Sequence, residues 1–172
     1  MLVVIDVQGK LFNIMYEKET LTDNLQQIIS GLQVLDIPVV WMEQNPKGLG
    51  PTIPEVAELL KGNQPLPKFS FSCCGDEGFM QALIETKRRQ VLLVGIETHV
   101  CVYQTAAELT EMGYEVEVVA DAVSSRTAEN KALGLQKIRD AGASVTSNEI
   151  VLFELLRDAK GDRFKQMLKI VK

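Results

Sequence analysis

The chain predicts an α/β fold, a three-layer, doubly wound (Rossmann-like) parallel sheet of about six strands with helices on both faces. Three observations lead there. Short apolar, β-branched runs alternate with segments whose apolar residues recur at helical spacing. The first of those runs is continuous rather than alternating, which suits a strand covered on both faces. No region holds strands alone. Parallel strands joined through helices cross over right-handedly, so the helices divide between the two faces of the sheet.

Leu2–Val7 opens the sheet, with Asp6 at its C-terminal end. Leu21, Leu25, Ile28, Ile29, Leu32 and Leu35 keep to one helical face, so a helix spans Leu21–Leu35, and Ile37–Met42 is the second strand. Glu43-Gln-Asn-Pro-Lys-Gly-Leu-Gly-Pro-Thr52 is dense in Gly and Pro and reads as a loop. Ile53–Lys61 is a short helix with Pro54 in its first turn, where a missing N–H is tolerated. Pro65–Gly75, which carries Lys68, is loop or short edge strand, and Glu77–Lys87 is helical. The apolar run Val91–Val94 stops at Gly95, and a helical pattern runs from Cys101 to Met112. A strand Glu115–Ala120, a polar turn Asp121–Arg126, a helix Thr127–Ala141 and a short strand Ala143–Thr146 follow. The tail forms helices over Asn148–Leu156 and Asp162–Val171, the second amphipathic enough to pack on the sheet or against another subunit.

At 172 residues, 46% hydrophobic and 24% charged, the chain fits one domain, residues 1–172, with a proper core. The formal charge of −5 and pI near 5.0 argue against a nucleic-acid or anionic-membrane surface, which needs a basic face. A small neutral or polar substrate, or a protein partner, fits better, and a homo-oligomer of two or more copies is expected. Three cysteines, two of them adjacent at Cys73 and Cys74, make a poor disulfide framework, and the single histidine, His99, excludes a Cys/His zinc cluster. No metal or other cofactor is expected. The chain opens directly on Leu2-Val-Val-Ile-Asp6, with no basic region ahead of an apolar segment and no membrane-length apolar run, so a cytoplasmic location is expected.

Cys101 stands where a buried strand gives way to a helix. A helix N-terminus presents unpaired N–H groups and partial positive charge, which stabilise a thiolate and lower its pKa. The same place also suits a small, inert, buried cysteine. In open α/β sheets ligands bind beyond the carboxyl ends of the strands, near the switch point. Asp6, Glu43 with Gln44, Glu97 to Cys101 and Asp121 to Arg126 all fall at such ends. Strands one and four are neighbours in this topology, which brings Asp6 toward Cys101. A thiol, an acid to take its proton and a nearby lysine are what nucleophilic catalysis at a carbonyl requires.

Val4-Ile-Asp-Val-Gln8, Lys68-Phe-Ser-Phe-Ser72 and Gly95-Ile-Glu-Thr-His-Val-Cys-Val102, in this order, resemble the isochorismatase-like cysteine hydrolase superfamily over nearly the whole chain. Glu43 to Thr52 and Asp121-Ala-Val-Ser-Ser-Arg126 are similar to its isochorismatase domain-containing branch. The resemblance implies a hydrolase of a small amide or ester. Cys101 would attack the carbonyl, Asp6 accept and relay the proton, and Lys68 stabilise the thiolate and orient the acid, through a thioester acyl-enzyme. It also implies a cis peptide between Ile96 and Glu97, an oxyanion hole from the backbone N–H groups of Glu97 and Cys101, and pocket contacts from Gln44, Asn45, Phe69, Phe71 and Val100. The histidine-rich metal cluster of the nicotinamidase branch is missing. Members that act on isochorismate lack the cysteine nucleophile, so Cys101 argues against that substrate.

Other readings stand beside this one. A binding protein could keep the fold and triad without turnover, and Cys101 could act with Cys73 or Cys74 in redox sensing. His99, two residues before Cys101, lines the pocket or an interface, because near neighbours in sequence do not place an imidazole on the thiol. Ser124 and Arg126 hold the sheet edge together or bind substrate, the structural role being favoured, and Trp41 belongs to the core.

Overall fold

A computed structural model describes residues 1–172. Its strands are β1 (Leu2–Ile5), β2 (Val39–Gln44), β3 (Leu66–Lys68), β4 (Gln90–Ile96), β5 (Glu115–Ser124) and β6 (Ser144–Thr146). Its helices are α1 (Gly9–Phe12), α2 (Lys18–Val34), α3 (Pro46–Leu49), α4 (Pro54–Ala57), α5 (Glu77–Glu85), α6 (Tyr103–Glu111), α7 (Ala128–Asp140), α8 (Asn148–Leu156) and α9 (Gly161–Ile170). The six strands form one sheet in the order β3-β2-β1-β4-β5-β6, and every pairing is parallel. The chain therefore builds outward from β1 to β3, then crosses to β1's other side and builds out to β6. The switch point lies between the ends of β1 and β4, as the doubly wound reading expects.

Alternation along β1 explains the three layers. Leu2 and Val4 point into one core with Leu25, Ile28, Ile29 and Leu32 of α2, Leu152 of α8 and Met167 of α9. Val3 and Ile5 point into the other with Phe79 and Leu83 of α5, Val102, Ala106 and Leu109 around α6, and Ile138 of α7. All four β1 side chains are fully buried, which is why the strand reads as a continuous apolar run. No helix is long and apolar enough to cross a membrane.

Several boundaries differ from the sequence reading, for identifiable reasons. The expected polar turn at Asp121–Arg126 is largely strand, since β5 continues to Ser124. Leu93 pairs with Val118 but Gly95 with Val123, so β5 carries three extra residues through a bulge before its ladder resumes. Buried Ala122 and Val123 carry the continuation, flanked by polar residues that masked it. Helical geometry ahead of α6 begins at Thr98 rather than Cys101, as one wide π-type turn over Thr98–Val102. β1 ends at Ile5, because Asp6 turns into the left-handed region at φ 54°. Helices α1 and α3 span four residues each, too short to show periodicity.

Gly95 marks the closest approach of β4 to β1, beside its register partner Ile5. Its φ is +113°, and a Cβ there would lie 2.1 Å from Ile5 O and 2.8 Å from Ile5 N. Gly95→Ala is expected to lower the unfolding free energy in urea by ~3 kcal/mol or more. Gly62→Ala, at a position with no atom within 4 Å of the added Cβ, should stay within about 0.5 kcal/mol of wild type. Equal stabilities for the two variants would contradict this account of the β1–β4 contact.

Candidate active site

Three strand ends meet at the switch point. Asp6 leaves β1, Lys68 ends β3, and the turn carrying Cys101 follows β4. Asp6 is 1% exposed and Lys68 0% exposed, although both are charged side chains. The Lys68 Nζ donates to Asp6 Oδ2 at 2.7 Å, to Gln44 Oε1 at 2.7 Å, to Phe71 O at 2.9 Å and to Ser70 O at 3.1 Å. Four acceptors surround an ammonium with three protons, so Lys68 has no N–H left over for another partner.

The Asp6 carboxylate is satisfied on one side only. Oδ2 takes the lysine, whereas Oδ1 is buried without a hydrogen-bond partner. Burial pushes the Asp6 carboxyl above the usual carboxylate range, and the Lys68 charge and hydrogen bond pull against that rise. Cys101, 7% exposed, shares this environment. Its thiol is pushed up to about 12, first by burial and then by the Asp6 carboxylate, with Lys68 opposing. For the resting site this runs against the expectation of a thiolate favoured at a helix N-terminus. Cys101 lies inside the wide turn rather than at an exposed helix end, and desolvation with a carboxylate neighbour outweighs the backbone dipoles.

The turn itself is held from three sides. The Ile96–Glu97 peptide is cis. Glu97 Oε2 accepts from Arg126 N–H at 3.2 Å and from Arg126 Nε at 3.0 Å, across from the end of β5. His99 Nδ1 lies 3.0 Å from Ser125 Oγ, so its ring is engaged with the β5 end. From α7, Gly134 packs so closely that a Cβ would lie 2.8 Å from His99 N. Ser124 Oγ donates to Tyr16 O at 2.7 Å, which ties the same edge to the α1–α2 connection.

The expected pocket residues divide. Gln44 is spent on the lysine loop, with Oε1 on Lys68 and Nε2 donating to Phe69 O at 2.9 Å. Asn45 Oδ1 caps α3 by accepting from Gly48 N–H at 3.3 Å. Phe69 and Phe71 flank Lys68 with 77% and 58% exposure, and Val100 is half-buried in the turn before Cys101. Cys73 is fully buried and held as a thiol by desolvation, and half-buried Cys74 is pushed up to about 11 by the same effect. Surface cavities of about 540 and 670 Å³ are lined by neither Asp6, Lys68 nor Cys101, one lying around Cys74, Met80 and Ile84 and the other around Phe12 and Leu49.

The model of the isochorismatase domain matches residues 1–150. The chain belongs to the isochorismatase family. Isochorismatase domain-containing protein 2 of Danio rerio is 35% identical over 170 residues, covering 99% of this chain and 85% of the relative. A solved structure described as the MAR1 ribonuclease of Caenorhabditis elegans superposes with a TM-score of 0.92 at 36% identity, covering 99% of this chain and 88% of that one. The Escherichia coli YcaC structure, described as an octameric hydrolase of unknown specificity, has a TM-score of 0.93 at 22% identity, covering 98% of this chain and 84% of that one, and shows the shared fold.

Within the isochorismatase fold the nicotinamidase-type metal does not fit this chain. Its one histidine faces Ser125, and no three His, Cys, Asp or Glu side chains gather into a ligand set. Sequence reasoning passed over Gln8, which is fully buried and latches the loop after β2. Its Nε2 donates to Gln44 O at 2.9 Å and Gly50 O at 2.6 Å, and its Oε1 accepts from Gln44 N–H at 2.7 Å. The signal was present, since a glutamine two residues past a strand-ending acid lies on the same sheet edge. Thr105 was also missed, although its i+4 spacing from Cys101 places it on the same helix face.

Breaking a buried ion pair from one side leaves a bare charge. Lys68→Met should cost about 3–5 kcal/mol at neutral pH. Without the opposing cation, the folded-state pKa of Asp6 rises further above its unfolded value. Stability linked to that group is therefore full below the unfolded pKa and lost as pH rises through the folded one. The Lys68→Met deficit, followed by urea unfolding, should shrink on acidification toward pH ~4. Adding Asp6→Asn should remove this pH dependence, and a deficit constant with pH would refute the ion-pair account.

Proposed function

We propose that the chain is a cysteine-dependent hydrolase of a small amide or ester, working through a thioester acyl-enzyme. The observation that carries this reading is the burial together, at the switch point, of a thiol, a carboxylate with one free oxygen and a saturated ammonium. With the Cys101 thiol pushed up to about 12, a standing thiolate is scarce at neutral pH, so deprotonation has to accompany attack. Asp6, more basic than an ordinary aspartate and with Oδ1 unpartnered, is suited to take that proton.

In this mechanism Sγ bonds to the carbonyl carbon as its proton passes to Asp6, and the carbonyl π electrons move onto oxygen. The oxyanion is received by the backbone N–H groups of Glu97 and Cys101. Among the hydrogen bonds of the fold the Glu97 N–H has no carbonyl acceptor, which supports its availability. Collapse of the tetrahedral intermediate breaks the bond to the leaving amine or alcohol, which takes the proton from Asp6. Water, deprotonated by Asp6, then attacks the thioester, and the departing sulfur recovers the proton. Lys68 acts through its charge and by fixing Asp6, since its own donors are committed.

Three free cysteines suit a cytoplasmic or other reducing compartment. Association of two or more copies is also part of this reading, supported by the exposed Phe69 and Phe71 beside the site and by Ile150, Phe153 and Leu155 on α8. The ribonuclease description of the nematode relative defines a second substrate class to test, although a net charge of −5 does not favour a polyanion.

Wild type, Cys101→Ala and Asp6→Asn should be screened against small amides, small esters and RNA. Hydrolysis of an amide or ester is expected, reduced roughly 10³-fold or more in both variants. The acid limb of the rate profile should lie above the ~4 of an ordinary aspartate, because activity requires ionised Asp6 and its pKa is raised. Turnover that survives Cys101→Ala would eliminate the mechanism. Partner binding unchanged by that substitution, with no turnover, would favour an interaction protein.

A further inference from the structure

The groups of the proposed reaction come from two separate stretches of chain. Cys101 belongs to the turn between β4 and α6, whereas Lys68 is wrapped by the loop that runs from β3 toward α5. One hydroxyl bonds both. Thr105 Oγ1, four residues past Cys101 on α6, donates to Cys101 O at 2.7 Å and accepts from the Cys73 N–H at 2.9 Å. Thr105 is 0% exposed, so neither bond competes with water.

Cys73 closes the loop whose Ser70 and Phe71 carbonyls hold the Lys68 ammonium. A second link lies further along α6, where Ser72 Oγ donates to Glu108 Oε2 at 2.8 Å. Helix α6 thus faces the lysine loop with two polar contacts, and only the Thr105 contact also touches the nucleophile's own residue. The bond to Cys101 O is not needed to build the helix. Thr110 makes the same i−4 bond to Ala106 O at 2.8 Å on this helix, without a partner in the lysine loop.

We infer that Thr105 is a positioning residue for the proposed reaction: its hydroxyl holds the lysine loop in register with the nucleophile turn. This rests on Cys101 being the nucleophile. The titratable groups facing the Cys101 thiol are Asp6 beyond β1, Lys68 at the end of β3 and Cys73 on the loop, while α7 presents the uncharged Gly134 to the turn. Of these, Lys68 alone favours the thiolate. Releasing the loop from α6 lets that charge recede, leaves Asp6 less well paired and makes the thiol harder to ionise.

The test compares wild type, Thr105→Val, Thr105→Ser and Thr110→Val. Amide hydrogen exchange is followed at Cys73, and iodoacetamide alkylation of Cys101 is followed by intact mass across pH. Thr105→Val removes both bonds at nearly constant volume. It is expected to speed Cys73 exchange about tenfold and to slow Cys101 alkylation about tenfold at every pH below the thiol's midpoint, the counterpart of a rise of about one unit in that midpoint. Thr105→Ser, which restores the hydroxyl, and Thr110→Val, which loses only an equivalent helix bond, should both match wild type. Unchanged Cys73 exchange in Thr105→Val, or an equal alkylation shift in Thr110→Val, would overturn the inference. Amide or ester turnover that survives Cys101→Ala would instead overturn the nucleophile assignment, and the exchange measurement would still decide whether Thr105 joins the two stretches.

Discussion

The ion pair between Asp6 and Lys68, closed to water on every side, is the constraint around which this edge of the sheet is arranged. Each ion would cost several kcal/mol to desolvate alone, so the pair persists only where every remaining polar atom of the lysine is met. The sheet order explains how that is done. β3 and β1 are separated by β2, a gap of about 9–10 Å between strand axes that only a long side chain crosses. Gln44 ends the strand in between and supplies an acceptor midway, while the chain beyond Lys68 curls back to offer two carbonyls. Gln8 then fixes Gln44 through the backbone. The polar residues of three neighbouring strand ends form one connected network, and the lysine lies at its centre.

That burial sets the chemistry as much as the stability. Desolvation raises the Asp6 carboxyl and the Cys101 thiol alike, so in the proposed reaction the proton starts on sulfur. A resting thiolate would place two anions side by side in a dry pocket with one cation to share. The neutral thiol avoids this and leaves the Lys68 charge to Asp6. For the proposed reaction, a carboxylate with one oxygen bound and one bare is the form that can both stay ionised and accept a proton.

How far the sequence discloses this depends on the range of the interaction. Continuous apolar runs at Leu2–Ile5 and Val91–Val94 reveal doubly covered strands because burial on both faces leaves a local mark. Asp6 and the segment at Cys101 can be placed together because parallel topology puts both at the same sheet edge. Lys68 is different: nothing in a Pro-flanked loop residue says that its ammonium will be fully buried, and the assignment comes from the family motif. The ionisation state of Cys101 is equally silent in sequence, since it follows from the balance of burial, one anion and one cation. Gln44 illustrates the limit from the other direction. Its position at the end of β2 suggests a wall of the pocket, whereas its amide is committed to Lys68 and Phe69.

The irregular features missing from the sequence reading are the ones that bring the turn carrying Cys101 into place. A regular β5 would set Ala120 and Asp121 opposite Gly95 and Ile96. With three extra residues bulged out, Val123 and Ser124 pair with Gly95 and Ile96, and Ser125 and Arg126 emerge beside His99 and Glu97. The wide turn at Thr98–Val102 likewise places Cys101 inside the edge rather than on an exposed helix cap. Bulges and widened turns have weak local signals because they spend propensity instead of expressing it. Their cost is offset here by contacts from elements distant in sequence: the β5 end, α7 and the lysine loop. Departures from ideal geometry supported from several sides are where a fold otherwise legible from its pattern becomes specific to one reaction edge.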